Sequence, residues 1–202
     1  MEYKSLATYI ESFKNLGILK TCDLADDLLK QKIECVSYDN RKLSGTSLFI
    51  CKGNNFLPEY AKSAVDSGAV AYISQEKIDG LNCGIIVDDI RAAIVACAKI
   101  FYDNAPAKIK TIGITGTKGK GCVLYFLREI LNSYLQENNK KDCAYLSSIR
   151  SYDGIIDEES HLTTPETLEL YEHFYNANKS GIEYLIIQAI LELSKICNFD
   201  AK

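Results

Sequence analysis

Apolar residues in the first half of the chain follow two patterns. Short continuous apolar runs are typical of buried strands, and spacings of three or four residues give a helix one apolar face. The predicted helices cover residues 6–19, 58–67 and 90–102, and the predicted strands cover 33–38, 47–51, 69–74 and 84–87. Residues 21–32 show a less clear pattern, which we interpret as a loop with a short helical turn. This half therefore predicts a small α/β domain.

The second half alternates strands and helices in the order β-α-β-α-β. The elements are predicted at 112–114, 123–131, 143–147, 165–179 and 182–187, with 148–162 irregular. Such alternation favours a parallel sheet covered by helices. Residues 103–108 are polar and contain Pro106, which disfavours a helix, so we expect a linker there. We predict an N-terminal domain at 1–104 and a P-loop-type parallel-sheet domain at 109–202.

A glycine-rich loop joins the first strand and helix of the second half. A buried strand, a loop of glycines ending in Lys and a following helix form a cradle for phosphate groups. Backbone N–H groups and the helix N-terminus favour negative charge, and Lys120 can reach the outer phosphates. The candidate cofactor-binding residues are Thr115, Gly116, Thr117, Lys118, Gly119, Lys120 and Gly121, and Lys120 is also the candidate catalytic residue. An ordinary strand-to-helix turn is the alternative.

Composition narrows the class of protein. The chain has 202 residues, 47% hydrophobic and 25% charged, with a net charge of −4. This balance implies no surface for nucleic acid and no membrane span, and we expect a cytoplasmic protein. The eight cysteines include no C-x-x-C pair and do not cluster with the two histidines, so we expect reduced thiols and no metal site built from cysteine.

Three blocks of residues carry a resemblance to a known family. Residues 37–42 and 47–53 are similar to the family's D-S-R-x-V-x-x-G-x-L-F-V-A-x-x-G, residues 113–120 to G-I/V-T-G-T-N/K-G-K-T, and residues 162–168 to the T-T-P-[DE] segment. The chain resembles the Mur ligases, ATP-dependent amide-bond-forming enzymes of peptidoglycan synthesis. It is most like the type that adds the third residue of the stem peptide.

The resemblance implies ligands for each block. Asp39, Asn40 and Arg41 would contact the UDP end of a UDP-N-acetylmuramoyl-dipeptide substrate, and Thr163 and Thr164 its muramoyl-dipeptide part. The loop would surround the β- and γ-phosphates of ATP, with Mg²⁺ as the family's metal. In the family, the substrate carboxylate attacks the γ-phosphate, and an amino acid then displaces phosphate from the acyl phosphate.

Three departures from the family pattern oppose activity of this chain by itself. Gly121 stands where a hydroxyl residue normally binds Mg²⁺, and Gln188 where a metal-binding Glu is expected. The chain also ends at Lys202, before the remaining family domains. We therefore expect that it does not form the amide bond alone. A sheet ending at Ile187 would leave an unpaired edge, which favours self-association.

Several alternatives stay open at this point. One is a non-catalytic fragment that keeps affinity for the UDP sugar or nucleotide. Another is a ligase of the MurF type, which lacks the T-T-P segment, or a folylpolyglutamate-synthase-like enzyme. Asp39 and Arg41 could instead form a surface ion pair in a turn, and the segment around Thr164 could be a helix cap followed by Pro165.

Overall fold

The computed structural model describes residues 2–22, 24–53, 56–160 and 165–188. The chain divides into two units, Met1–Phe101 and Tyr102–Lys202. Among the described residues, no helix combines the length and apolar character needed to cross a bilayer.

The described residues of the first unit form a five-stranded mixed sheet with four α-helices. Its helices are α1 (Leu6–Asn15), α2 (Asp26–Leu29), α3 (Pro58–Asp66) and α4 (Ile90–Phe101), with a 3-10 turn at Asn40–Lys42. Its strands are β1 (Leu19–Cys22), β2 (Cys35–Ser37), β3 (Ser47–Ile50), β4 (Ala69–Ser74) and β5 (Gly84–Val87). The strand order is β1-β5-β4-β3-β2, in which β2 to β5 are parallel and β1 is antiparallel to β5.

The first helix ends earlier than its apolar spacing predicts. Gly17 adopts a left-handed conformation with φ of +69°, which is accessible to glycine without strain. The N–H of Gly17 donates to the carbonyl of Lys14, and that of Ile18 to the carbonyl of Phe13. This pattern closes the helix and turns the chain into β1, a short strand that the apolar pattern did not predict.

Over its described residues, the second unit is also built on a five-stranded sheet. Its helices are α5 (Lys120–Glu137) and α6 (Thr167–Lys179), with a 3-10 turn at Ala105–Lys108. Its strands are β6 (Lys110–Ile114), β7 (Ala144–Leu146), β8 (Arg150–Tyr152), β9 (Asp157–Glu159) and β10 (Tyr184–Gln188). The strand order is β6-β10-β7-β8-β9, in which the first three strands are parallel and β8 and β9 are antiparallel.

The structure differs from the predictions in three parts of this unit. Residues 103–108 belong to the second unit, where Ala105 is buried and its carbonyl accepts a hydrogen bond from Asn178 Nδ2 at 2.8 Å. The segment predicted to be irregular contains the β8–β9 hairpin. The unpaired edge expected beside Ile187 lies elsewhere, because β10 pairs with β6 on one side and β7 on the other. Within the described residues, β6 lies at the end of the sheet.

Candidate functional site

The glycine-rich loop connects the end of β6 to the start of α5. Gly116 has a φ of +150°, and Gly119, the residue that precedes α5, has a φ of +76°. Both values lie in the region that favours glycine, so these two glycines are required by the path of the chain. The N–H of Val123 donates to the carbonyl of Gly119 at 3.0 Å, which forms the first turn of α5.

The predicted cofactor-binding residues lie together around this turn. The side chain of Lys120 folds back over the loop, where its Nζ donates to the carbonyl of Gly116 at 2.7 Å. Thr115, Thr117 and Lys118 are exposed. Two lysines and a helix N-terminus therefore lie at one solvent-facing loop, which is the arrangement that attracts phosphate.

Gly121 and Gln188 come together beside the loop. A Cβ atom built on Gly121 would lie 4.0 Å from Oε1 of Gln188, with room around it. The Gln188 side chain is buried, and its Oε1 faces the N–H of Ser148 at 3.4 Å and the Ser148 hydroxyl at 3.5 Å. The apolar pattern gave no sign of the Ser148 contact, since Ser148 lies on a different segment.

These residues do not fit Mg²⁺. A hard cation prefers carboxylates, hydroxyls and water. Gly121 offers no ligand atom, and the neutral amide of Gln188 cancels no charge on a metal. Across residues 2–22, 24–53, 56–160 and 165–188, no group of three or more His, Cys, Asp or Glu side chains could hold a metal ion. The loop retains the features for phosphate without those for its divalent cation.

The predicted substrate residues of the first unit lie beyond the carboxyl end of β2. Asp39 accepts from the backbone N–H of Arg41 at 3.0 Å and pairs with the Arg41 guanidinium through two contacts of 2.9 Å. Hydrogen bonds from Arg41 lower the pKa of Asp39 to about 2. Asn40 donates to the Ser63 hydroxyl at 3.2 Å. The ion pair considered above is therefore present, and the Arg41 side chain remains 84% exposed.

Lys52 lies close to this turn. It follows β3, the parallel neighbour of β2, and its ammonium group lies 4.6 Å from the centre of the Tyr38 ring. Ligands of parallel sheets bind beyond the carboxyl ends of the strands. Three polar or charged residues after β2 and a lysine after β3 thus mark one end of this sheet as the candidate site of the first unit.

A buried polar cluster in the second unit was not predicted. Asp153, in the β8–β9 turn, accepts hydrogen bonds from His173 Nδ1 at 2.7 Å and Asn176 Nδ2 at 3.0 Å, both on α6. The backbone N–H groups of Ile155 and Ile156 donate to its other oxygen. An Asp-Gly turn signals only a tight turn, so its pairing with α6 needed the fold. Thr163 and Thr164 lie outside the described residues.

Comparison with known proteins agrees with the class of protein that the fold and the glycine-rich loop define. A parallel sheet with a strand, glycine-rich loop and helix is the architecture of phosphate-binding α/β proteins. No protein-family model matches the chain. A solved UDP-N-acetylmuramoyl-L-alanyl-D-glutamate–2,6-diaminopimelate ligase superposes with a TM-score of 0.72 at 17% identity, covering 100% of this chain and 39% of that one. This likeness shows a shared fold.

Sequence relatives narrow the class further. The chain is 38% identical over 167 residues to the UDP-N-acetylmuramoyl-L-alanyl-D-glutamate–L-lysine ligase of Enterococcus faecalis, covering 82% of this chain and 32% of that protein. It is 33% identical over 190 residues to the UDP-N-acetylmuramyl-tripeptide synthetase of Lactobacillus delbrueckii subsp. bulgaricus, covering 91% and 36%. The chain is thus a partial homologue of the Mur ligases that make the tripeptide. It spans about a third of the length of these relatives.

Proposed function

We propose that the chain binds the UDP-sugar substrate and the nucleotide of a tripeptide-forming Mur ligase in the cytoplasm. The observation that carries this proposal is the 38% identity to a lysine-adding ligase over 82% of the chain. The geometry of the glycine-rich loop supports it. MurF structures also share the fold, at 16% identity and a TM-score of 0.56, but the sequence relatives favour the tripeptide type.

The first unit would hold the UDP end of a UDP-N-acetylmuramoyl-dipeptide. The Arg41 guanidinium is exposed, permanently charged and held in place by Asp39, so it can meet a diphosphate without first being ordered. Asn40 offers an amide oxygen and N–H groups for a polar ligand. Asp39 would act mainly by orienting Arg41, because both its oxygens already accept from that residue.

The second unit would hold ATP through residues 115–121. Lys120 would exchange its hydrogen bond to the Gly116 carbonyl for the outer phosphates. Thr163 and Thr164 would contact the muramoyl-dipeptide part of the substrate, as in the resemblance described above. The chain by itself would form no amide bond, because Gly121 and Gln188 lack the ligands for Mg²⁺ on the transferring phosphate.

A titration with UDP-N-acetylmuramoyl-dipeptide tests the first-unit site. We expect saturable heat with one site per chain, and a loss of about tenfold or more in affinity for Arg41→Ala, since a charged hydrogen bond contributes about 1.5–3 kcal/mol. Lys42→Ala is the matched control, because Lys42 is exposed on the same turn. Equal affinity of both variants would refute the assigned role of Arg41, and no binding to folded protein would refute the substrate site.

We also propose that the second unit self-associates through α5. Leu124, Leu127, Leu131 and Leu135 of this helix lie in or against the core of the unit. A second apolar row lies beside them, because successive residues are about 100° apart around a helix. Its members are 53–73% exposed and are Val123, Phe126, Ile130 and Tyr134. A patch of this kind on one helix favours an interface.

Light scattering tests the proposed association. We expect a concentration-dependent mass above that of one chain, and a shift to the single-chain mass for Ile130→Lys. Ile155→Lys is the matched control, because Ile155 is also an exposed apolar residue of the second unit but lies on the β8–β9 turn. A single-chain mass for the unchanged protein at every concentration would refute the proposal.

A further inference from the structure

The Gly121–Gln188 pair joins two departures from the family pattern at one place. The two residues lie on different elements, one in the first turn of α5 and the other at the end of β10. The parallel pairing of β10 with β6 aligns Gln188 with Ile114, the residue that enters the loop. A hydroxyl carried on residue 121 would therefore lie close to the side chain of residue 188.

The Gln188 amide oxygen, which is the atom nearest to residue 121, also faces two hydrogen-bond donors. This Oε1 atom faces both the N–H and the hydroxyl of Ser148, at 3.4 and 3.5 Å. These are long contacts, but they are the hydrogen-bond donors that a buried amide oxygen requires. A carboxylate at this position would bring a buried negative charge, which is stable only with a cation or strong donors beside it. With a neutral amide at position 188, this part of the site has no buried negative charge that a cation must balance.

The charge around the loop also favours a free anion. Between Lys110 and Arg128 the chain contains no Asp or Glu, whereas Lys118 and Lys120 both lie on or next to the loop. A polyphosphate without a bound cation carries more negative charge than its magnesium complex. The attraction between two ammonium groups and the ligand is therefore greater for the uncomplexed anion.

We infer that this loop binds a nucleoside polyphosphate in its metal-free form, and that Gly121 and Gln188 set this preference as a pair. The inference rests on the proposed function of the loop, and it concerns the charge state of the ligand that the loop selects. Restoring one ligand atom alone leaves the other half of a metal site missing. Both changes together, Gly121→Thr and Gln188→Glu, would supply a hydroxyl and a carboxylate at neighbouring positions.

Calorimetric titration of the full chain with ATP, in excess EDTA and in excess Mg²⁺, tests the inference. We expect the unchanged protein to bind ATP about threefold more tightly, or better, in EDTA than in Mg²⁺. The Gly121→Thr/Gln188→Glu double variant should bind ATP more tightly in Mg²⁺ than in EDTA. Each single variant should keep the order of the unchanged protein. Cys122→Ser is the matched control, since it adds a hydroxyl one residue further along α5, about 100° around the helix. This control should behave like the unchanged protein.

Two results would overturn the inference in different ways. Tighter binding by the unchanged protein in Mg²⁺ than in EDTA would show that the loop recruits a cation without Gly121 or Gln188 ligands, while the proposed nucleotide site would stand. The absence of ATP binding in both buffers, with a circular dichroism spectrum of folded protein, would refute the proposed nucleotide site and the inference with it.

Discussion

The buried carboxylate of Asp153 provides the sharpest stability prediction. Its two oxygens accept from four N–H groups, two in its own turn and two from α6. Replacement by Ala removes both acceptor oxygens. A buried donor left without an acceptor costs about 1–3 kcal/mol. Ile155 is exposed, so water can reach the turn, and we count only the donors of His173 and Asn176, both of which are buried. Asp153→Ala should therefore cost about 2–6 kcal/mol.

This cost is large beside the stability of a domain. Small domains are stable by about 5–15 kcal/mol, and 1 kcal/mol shifts the unfolding midpoint of a 60–100-residue domain by about 4–8 °C. We expect Asp153→Ala to lower the midpoint of the second unit by about 10 °C or more. Hydrogen exchange read on peptides of α6 distinguishes this unit from the first. A midpoint from whole-chain spectroscopy would mix the two units.

The matched control is Asp157→Ala on the same hairpin. Asp157 pairs with Arg150 at 2.6 Å, but both side chains are about half exposed. Exposed ion pairs contribute about 0–1 kcal/mol, so this variant should shift the exchange rates little. Asp153→Ala and Asp157→Ala with equal, small effects would refute the reasoning, because they would show that the buried donors of His173 and Asn176 find other acceptors at no cost.

Three further predictions concern the loop, acid stability and thiol reactivity. Gly116→Ala should weaken ATP binding in a calorimetric titration, because its φ of +150° strains any side chain, whereas Gly113→Ala, which has open space around it, should bind as the unchanged protein does. Burial raises the pKa of Asp153, but hydrogen bonds led by that of His173 lower it further, below its ordinary value. Its contribution to stability is therefore present above the unfolded pKa of about 3.9 and is lost as the pH falls through the lower pKa of the folded state. In acid urea titrations, Asp153→Asn should therefore lose less stability than the unchanged protein as the pH falls below about 5, and equal losses would contradict this. Burial raises the pKa of the Cys143 thiol to about 11, so a thiol reagent at about pH 8 should label exposed Cys122 before Cys143. Mass spectrometry that finds Cys143 labelled before Cys122 would contradict the burial of Cys143.

Local signals in the sequence predicted most of the parallel core. The strands at residues 69–74 and 84–87 were predicted with the bounds that the structure has, because continuous apolar runs leave little choice of conformation. The loop was predictable for a similar reason, since its glycines and lysines are neighbours in sequence. The start of α5 was placed at residue 123, but the helix begins three residues earlier at Lys120, directly after Gly119 in its left-handed conformation.

The elements that were missed depend on contacts rather than on pattern. In β1, only the first and last residues, Leu19 and Cys22, are partly buried, and β9 is exposed throughout, so neither has an apolar run. Each strand exists because a neighbour offers its edge, β5 for the first and β8 for the second. The position of the unpaired edge was missed for the same reason, because β10 inserts between β6 and β7 and leaves β6 at the end of the described sheet. Strand order cannot be read from local periodicity.

The candidate sites show the same difference between what local sequence predicts and what depends on the fold. Asp39 and Arg41 lie two residues apart, so their ion pair was foreseeable as an alternative. The proximity of Gly121 to Gln188 was not, because it depends on the register between β10 and β6. That proximity turns two separate departures from the family pattern into one altered corner of the site.

We propose that this chain binds both ligands of a tripeptide-forming Mur ligase without completing the reaction. The most direct measurement titrates one sample first with UDP-N-acetylmuramoyl-dipeptide and then with ATP, and follows ADP release after lysine or diaminopimelate is added. We predict one site for each ligand and no ADP release. If folded protein binds neither ligand, the proposed binding is contradicted and the relationship to the family is one of common ancestry alone. ADP release that requires the UDP sugar and the amino acid would contradict the proposed lack of catalysis.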